Sequence, residues 1–562
     1  MSGQNPHSWE AIYPPGLDWG VEIVTGTLTE MLDDAVAAYG DRPAFEFNGQ
    51  RMSFAEFGAA VARAAAGLAR LGAGPGRSVA LYLANLPYHP IAFFAVLLTG
   101  ARVVHLSPLD PLRALRRKME DSEARILITA NLAGLLSHAE ALLREGVAEH
   151  LVVGAADAWG PLPAPLSPRP EGAIDFAADF AALGEAPAPA SWPRVTSDDV
   201  AVLQYTGGTT GLPRAAMLTH ANLTGAISIY NAWLAGTGRA PQPDDKIIGV
   251  LPYFHIYALT NVLLLGIRNG VEQLLRPRFD VETTLRDISE KRATNFPGVP
   301  TMWIALANHP DIEKYDLSSL RSIGSGGAPL PQDVAERLER LTGHRLGGGW
   351  GMTETSPAGT SLLPGQVYRA GLIGVPLPGI EMDIAALDDP HRVLAPGEHG
   401  EIRIKGPNVT KSYWKRPEET ESAFADGWFL TGDIGYRDET GQFYLVDRKK
   451  DMIISGGFNV YPTMIENAIY EHPAVAEVIV IGVPDAYRGQ TAKAFVVLRD
   501  GATPFMLEEL RAFLADKLGR HELPTDLEFR QTLPRTPVGK LSKRDLIAQE
   551  ASKQIADVAT PA

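Results

Sequence analysis

Between residues 78 and 155, short apolar runs alternate with helical stretches, and this alternation constrains the fold more than any other feature of the chain. SVALYLAN (78–85) is flanked by Gly and Pro, and a helix is expected around IAFFAVLL (91–98). ARVVHLSP, RILITA (125–130) and HLVVGA (150–155) continue the pattern. Runs of this length read as strands buried on both faces. Strands alternating with helices imply parallel sheets covered by helices, so the predicted fold class is α/β. The chain has 562 residues, well beyond the ~100–200 of a usual domain. A large multi-lobed body and a smaller unit are therefore expected.

The flanks extend this reading. TLTEMLDDAVAAYG carries apolar residues at helix spacing and stops at Gly40. AFEFNGQRMSF alternates about an Asn-Gly pair, a hairpin signal, and FAEFGAAVARAAAGLARLG is helical again and closed by Gly72. Residues 159–193 are rich in Pro and Ala and read as an irregular surface connection. After about Gly371 the texture changes: IEMDIAAL, GEIRIKG and GQFYLVD are short strands between Gly, Pro and Asp turns. The domain division follows. Residues 1–447 form an N-terminal domain that includes a small β-rich subdomain at about 371–447, and 448–562 form a smaller α+β C-terminal domain. In the latter, PTMIENAIYEH and MLEELRAFLADKLG are helices and EVIVIGV, AKAFVVL and LEFRQ strands, with about the last 15 residues frayed.

Charge and composition remove several function classes. The net charge of −15 argues against a nucleic-acid-binding surface, which needs a basic stripe. A local pocket can still oppose the global sign and hold a small anion. The chain has no cysteine, which excludes disulfides, thiolate nucleophiles and Cys-ligated metal sites. The N-terminus lacks the basic and apolar regions of a secretory signal. Windows such as IAFFAVLL and NVLLLGI fall far short of the ~20 residues that span a bilayer. A cytoplasmic location is expected.

AVLQY feeds directly into TGGTTGLPR, a loop of glycines and threonines (Thr206, Gly207, Gly208, Thr209, Thr210, Gly211) followed by Arg214. It is neither a Walker A loop nor a dinucleotide fingerprint, because both spacings fail. Exposed amides, hydroxyls and a cation suit an anion. A Gly-rich strand-to-helix turn held by threonine hydroxyls is the competing reading. WGMTETSP sets Trp350, Gly351, Thr353 and Glu354 together: a hydroxyl for a phosphate oxygen and a carboxylate for Mg2+, a hard cation that takes oxygen ligands. The same residues could form a capped helix start. TGDIG offers Asp433 in a turn, suited to accepting from two ribose hydroxyls or to closing a simple Asx-turn.

Taken in order, YTGGTTGLPRAAMLTHANL, LPYFHIYALT, IGSGGAPL, WGMTETSP, WFLTGDIGYRDETGQFYLVDRKKDMIISGG and PRTPVGKLSKRDL resemble the acyl-adenylate-forming superfamily, from about Thr27 to Lys543. The YTGGTTG and AMLTHANL segments look most like bacterial long-chain fatty acid–CoA ligases. The resemblance implies a two-step reaction. A carboxylate attacks the α-phosphorus of ATP, giving acyl-AMP and pyrophosphate, and the thiol of CoA then displaces AMP. It also implies roles. Thr206 to Gly211 cradle the β- and γ-phosphates, with Arg214 standing where the family usually has Lys. Gly326, Gly327 and Ala328 lie beside adenine, and Trp350 replaces the usual Tyr near the base. Thr353 contacts the α-phosphate and Glu354 holds the metal. Asp433 and Arg448 meet the ribose, with Tyr444 nearby. Lys540 meets the reacting carboxylate and α-phosphate. His255 lies near the acyl carboxylate, with a core histidine as its competing reading. Lys450 is the hinge of a C-terminal domain that rotates between half-reactions, and Ser455, Gly456 and Gly457 line the path of the pantetheine arm. The implied enzyme is an ATP-dependent ligase for a medium- to long-chain fatty acid, with Mg2+ as cofactor and ATP and CoA as co-substrates. A dicarboxylic or aromatic acid, or an acyl-AMP ligase serving a carrier protein in trans, are the alternatives. Nucleic acid is not an expected partner, a peripheral contact at the membrane's inner face stays open, and no oligomeric state follows from the sequence.

Overall fold

In a computed structural model, which describes residues 7–162, 164–178, 191–206, 214–326, 332–367, 369, 371–456, 458–485, 487–535 and 541–558, the alternating stretch builds a seven-stranded sheet. Its order is Ile174–Asp175, His150–Gly154, Ile126–Ala130, Ser78–Leu81, Arg102–His105, Val200–Thr206, Arg214–Thr219. Every neighbouring pair is parallel except the last. The helix Tyr88–Leu98 is buried on all its faces. That explains why its window is so apolar: it is a core helix. Among the described residues no helix is long and apolar enough to cross a membrane.

A second sheet runs Ser322–Ser325, Asn295–Gly298, Lys246–Gly249, Glu272–Leu275, Pro43–Phe47, Gln50–Ser53. It is parallel except for the hairpin that closes about Asn48-Gly49. Ile248, Leu274, Phe296 and Trp303 centre its core, and Val104, Leu127, Leu151 and Leu203 that of the first sheet. The helices Leu28–Tyr39 and Phe54–Arg70 start at Thr27 and Ser53, each closing a capping box with a Glu three residues on.

The chain divides into two compact units. One comprises Met1–Gln366, Gly374–Glu381 and Lys405–Phe424; the other comprises Val367–Ile373, Met382–Ile404 and Ala425–Ala562. Both sheets above lie in the first unit. In the second, Gly400–Lys405, Trp428–Arg437 and Phe443–Arg448 form an antiparallel ribbon. A separate sheet joins Phe458–Val460, Ile453–Ser455, Gly489–Leu498 and Val475–Asp485 in that order, with Asp526–Phe529 beside Gly489–Leu498. Ile465, Val480, Val496 and Leu510 are among its core residues.

Four readings of the sequence are corrected. The Gly/Thr segment does not lead from strand to helix. It joins two antiparallel strands, with Thr206 opposite Arg214, and the helix His220–Gly236 begins only after Thr219, which caps it. The residues after the loop, RAAMLT, pair as a strand because Ala215, Ala216 and Leu218 are buried there. Asp433 lies inside the ten-residue strand Trp428–Arg437 rather than in a turn. Of the two glycines in TGDIG, Gly432 keeps a positive φ of 72° within this strand and Gly435 serves close packing, since a Cβ there would fall 2.4 Å from the Tyr444 carbonyl oxygen. The chain end is also more ordered than expected, since the helix Lys543–Val558 runs through most of the last 15 residues. Part of the 159–193 connection pairs as the edge strand Ile174–Asp175.

Candidate active site

In the first unit, four of the predicted segments converge. Strand Val200–Thr206 carries Gln204, whose Nε2 donates to the Phe254 carbonyl at 2.8 Å. This fixes the residue before His255. His255 starts a short helix: its Nδ1 accepts from the Tyr257 amide at 3.3 Å. The irregular π-helical turn Leu259–Leu264 follows. The Tyr257 ring faces Gly326, where an added Cβ would sit 3.2 Å away. Gly326 follows the strand Ser322–Ser325, and the Ser325 amide donates to Gly347 at 3.0 Å, which leads the chain into WGMTETSP.

That segment turns tightly. Thr353–Thr355 form one 3-10 turn, and Ser356 stands at φ 60°. Gly351 has no room for a side chain, because a Cβ would come 1.4 Å from the Pro357 oxygen. Trp350 is buried; its amide donates to the Thr360 hydroxyl at 3.1 Å, and its ring packs where a Gly359 side chain would be. Asn408 clamps the turn from behind, donating through Nδ2 to the Thr355 and Ala358 carbonyls at 2.6 and 2.7 Å.

Glu354 is buried, 6% exposed. Its Oε1 accepts from the Tyr413 hydroxyl at 2.8 Å, and its carbonyl accepts from the Thr410 amide at 2.7 Å. Residues 410–414 run beside the strand Arg214–Thr219: Tyr413 bridges Ala216, and the Trp414 amide donates to Ala215 at 2.9 Å. Arg214 lies at the base of the Gly/Thr loop. Its carbonyl accepts from the Thr206 hydroxyl at 3.3 Å, and its guanidinium sits 5.0 Å over the Tyr413 ring. Burial first, then the Glu354 carboxylate, push the Tyr413 phenol far above its ordinary value, so it stays protonated and donates. Sequence reasoning missed Tyr413, Gln204 and Asn408. None carries a motif signal, and the Tyr413–Glu354 pair is 59 residues apart.

In the second unit, Asp433 opposes Arg448 across the antiparallel pair, and Arg448 Nε lies 3.0 Å from Asp433 Oδ1. The carboxylate is buried while the guanidinium is half exposed. Glu401 braces both strands: its Oε1 accepts from the Gly432 amide at 2.9 Å and its Oε2 from Lys449 Nζ at 2.7 Å. Tyr444 is turned elsewhere. Its ring stacks on Tyr436 at 4.8 Å, and its hydroxyl lies 3.5 Å from Asp438. Lys450 is exposed on a turn whose Asp451 and Met452 amides return to the Arg448 carbonyl. Ser455 is buried and pairs with Gly489 and Phe458, and the Gly456 amide donates to Arg488 at 2.8 Å. Gly207, Gly208, Thr209, Thr210, Gly211, Gly327, Ala328, Gly457 and Lys540 lie outside the described residues.

Residues 32–414 match the AMP-binding enzyme family, and 464–540 match the AMP-binding enzyme C-terminal domain. The chain belongs to the AMP-binding enzyme family, as the ordered segments implied. It is 38% identical over 562 residues to the long-chain-fatty-acid–CoA ligase of Bacillus subtilis (strain 168), covering 98% of this chain and 99% of that protein. It is also 38% identical over 506 residues to the feruloyl-CoA synthase of Amycolatopsis sp, covering 90% and 95% respectively. Among solved structures, ATP-bound MatB from Rhodopseudomonas palustris matches with a TM-score of 0.81 at 30% identity, over 94% of this chain and 99% of that one.

Proposed function

We propose that this protein is an ATP-dependent acyl–CoA ligase that activates a medium- to long-chain fatty acid through acyl-AMP. The observation that carries the reading is the near full-length similarity to a long-chain-fatty-acid–CoA ligase. The converging segments of the first unit and the Asp433–Arg448 pair of the second support it. In the first step a carboxylate oxygen bonds to the α-phosphorus and the bond to pyrophosphate breaks. In the second, the CoA sulfur bonds to the acyl carbon and AMP leaves. The substrate carboxylate is the nucleophile, so the protein's work is positioning and charge neutralisation.

The roles belong to the same proposal. The amides and hydroxyls of Thr206 to Gly211, with Arg214, hold the β- and γ-phosphates. Thr353 holds the α-phosphate. Gly326, Gly327, Ala328, Trp350 and Gly351 enclose the base. Asp433 accepts from the ribose hydroxyls and Arg448 accompanies it. His255 flanks the substrate carboxylate, and Lys540 neutralises charge between it and the α-phosphate. Lys450 is the hinge between domains 1–447 and 448–562, and Ser455, Gly456 and Gly457 pass the pantetheine arm. Mg2+ fits Glu354: a buried carboxylate offers a hard oxygen donor, and the described residues hold no cluster of three His, Asp or Glu. An ion held there through one carboxylate would draw its other ligands from phosphates and water, and would neutralise phosphate charge.

The test is pyrophosphate release over a panel of C6–C18 fatty, dicarboxylic and aryl acids, with and without CoA. Release with the medium- and long-chain fatty acids of the panel, and thioester only with CoA, is expected. Preference for an aryl acid would move the reading toward the feruloyl-CoA synthase relative, and no release with any acid would overturn it.

A further inference from the structure

We propose that Tyr413 is a positioning residue for Glu354, and that Arg214 is held in place by the same ring. The inference rests on the reading of Glu354 as the carboxylate that holds Mg2+. Three observations carry it. The Tyr413 hydroxyl donates to Glu354 Oε1 at 2.8 Å within a buried contact. The Tyr413 ring lies under the Arg214 guanidinium at 5.0 Å. The backbone of 412–414 is tied to the strand carrying Arg214, by the Tyr413–Ala216 bridge and by the Met217 and Trp414 amides, which bond Ser412 and Ala215 at 3.1 and 2.9 Å.

The chemistry follows from these contacts. A carboxylate on a one-turn segment has several rotamers, and only some direct an oxygen at a bound cation. A donor fixed to one oxygen selects the rotamer and determines which oxygen faces outward. Tyr413 is itself held by its surroundings: it is 5% exposed, its amide donates to the Thr420 hydroxyl at 3.0 Å, and its backbone bridges Ala216. One aromatic side chain thus touches both the cation at the base of the phosphate-binding loop and the carboxylate of the neighbouring turn. The planar guanidinium suits this stack better than an ammonium would.

The test uses the full-length protein with ATP. Mn2+ binding is read by electron paramagnetic resonance, and the Mg2+ dependence of pyrophosphate release is read in parallel. Tyr413→Phe keeps the ring, and so the Arg214 stack, but removes the donor. A roughly 10-fold or greater weakening of Mn2+ binding is expected, on the scale of lost outer-shell partners. Saturating Mg2+ should recover most of the rate. 3-Fluorotyrosine at position 413 retains the donor and should bind Mn2+ as the unmodified protein does. Unchanged Mn2+ affinity in Tyr413→Phe, where Glu354→Gln weakens it, overturns the role of Tyr413 and leaves that of Glu354 standing. Unchanged affinity in Glu354→Gln overturns both. If Tyr413→Phe only lowers the unfolding temperature, with Mn2+ affinity and Mg2+ dependence intact, its role is structural and the proposal fails.

Discussion

At the scale of single residues, some positions are fixed by space and others by protonation. Gly351 is fixed by space. A methyl group would overlap the Pro357 oxygen at 1.4 Å, so the backbone between them must open. Thr353 and Glu354 lie inside that turn and would move with it. Gly351→Ala is expected to destabilise the protein by about 1–3 kcal/mol or more and to cut ATP-dependent pyrophosphate release by roughly 100-fold, the scale of an ångström misplacement. Thermal unfolding and a release assay on one preparation check both. His220 is fixed by protonation. It is buried and its Nδ1 accepts from the Leu28 amide at 3.1 Å, which requires a neutral ring. Burial pushes it down to about 4, against smaller opposing pulls from Asp199 and Glu30. The folded state therefore refuses a proton that the unfolded chain takes up below about 6.5. The stability this leaves intact above 6.5 is lost as pH falls toward 4, by about 2 kcal/mol between pH 7 and pH 5. His220→Asn keeps an acceptor near Nδ1 and does not titrate, so its guanidinium unfolding free energy should fall by that much less over the same interval. An equal fall in both proteins would refute the assignment. Histidine alone in LTHANL gave no hint of this, because burial is a property of the packed chain.

At the scale of elements, the sequence was most legible where period and turn or stop signals agreed. Leu28–Tyr39 ends at Gly40 and Phe54–Arg70 just before Gly72, and the Asn-Gly hairpin closes between Pro43–Phe47 and Gln50–Ser53. It was least legible where distant residues decide. The helix Pro462–Tyr470 has no side-chain cap from its own N-cap residue, Tyr461. Asp447, at the end of the strand Phe443–Arg448, substitues from afar: its Oδ2 accepts from the Thr463 amide at 2.7 Å. Lys543 opens the final helix and lies 3.1 Å from Glu466 and 3.9 Å from Asp447, with its ammonium out of contact with solvent. Burial would lower the Lys543 pKa, but Glu466, Asp447 and Asp451 together raise it and keep the ammonium charged. Three elements thus meet at one cation. Lys543→Met leaves two carboxylates facing each other without it. It should cost about 3 kcal/mol, the low end for breaking a buried pair, since the Glu466 side chain is still 13% exposed. Adding Glu466→Gln should restore at least about 1 kcal/mol in urea unfolding. A double variant as unstable as the summed single losses would show that the pair is not coupled.

At the scale of the whole molecule, the two half-reactions ask different things of the chain, and this makes Lys540 the sharpest test. Forming acyl-AMP brings a carboxylate against a triphosphate. The repulsion between two anions and the charge developing at the α-phosphorus both call for a cation. Forming the thioester starts from an acyl-AMP that is already activated, and the leaving group is one phosphate monoester. A lysine that serves the first step has little to do in the second. The match to the C-terminal domain ends at residue 540, and the resemblance assigns this lysine to a domain that turns about Lys450. Lys540→Ala should lower pyrophosphate release from fatty acid and ATP by roughly 100- to 1000-fold. The same preparation, given acyl-AMP and CoA, should form thioester at within a few-fold of the unmodified rate. Running both assays on one sample separates the steps from any change in folding, which would reduce them together. A matched loss in both would mean that Lys540 does not divide the reaction, and the account of a domain that delivers and withdraws it would fall.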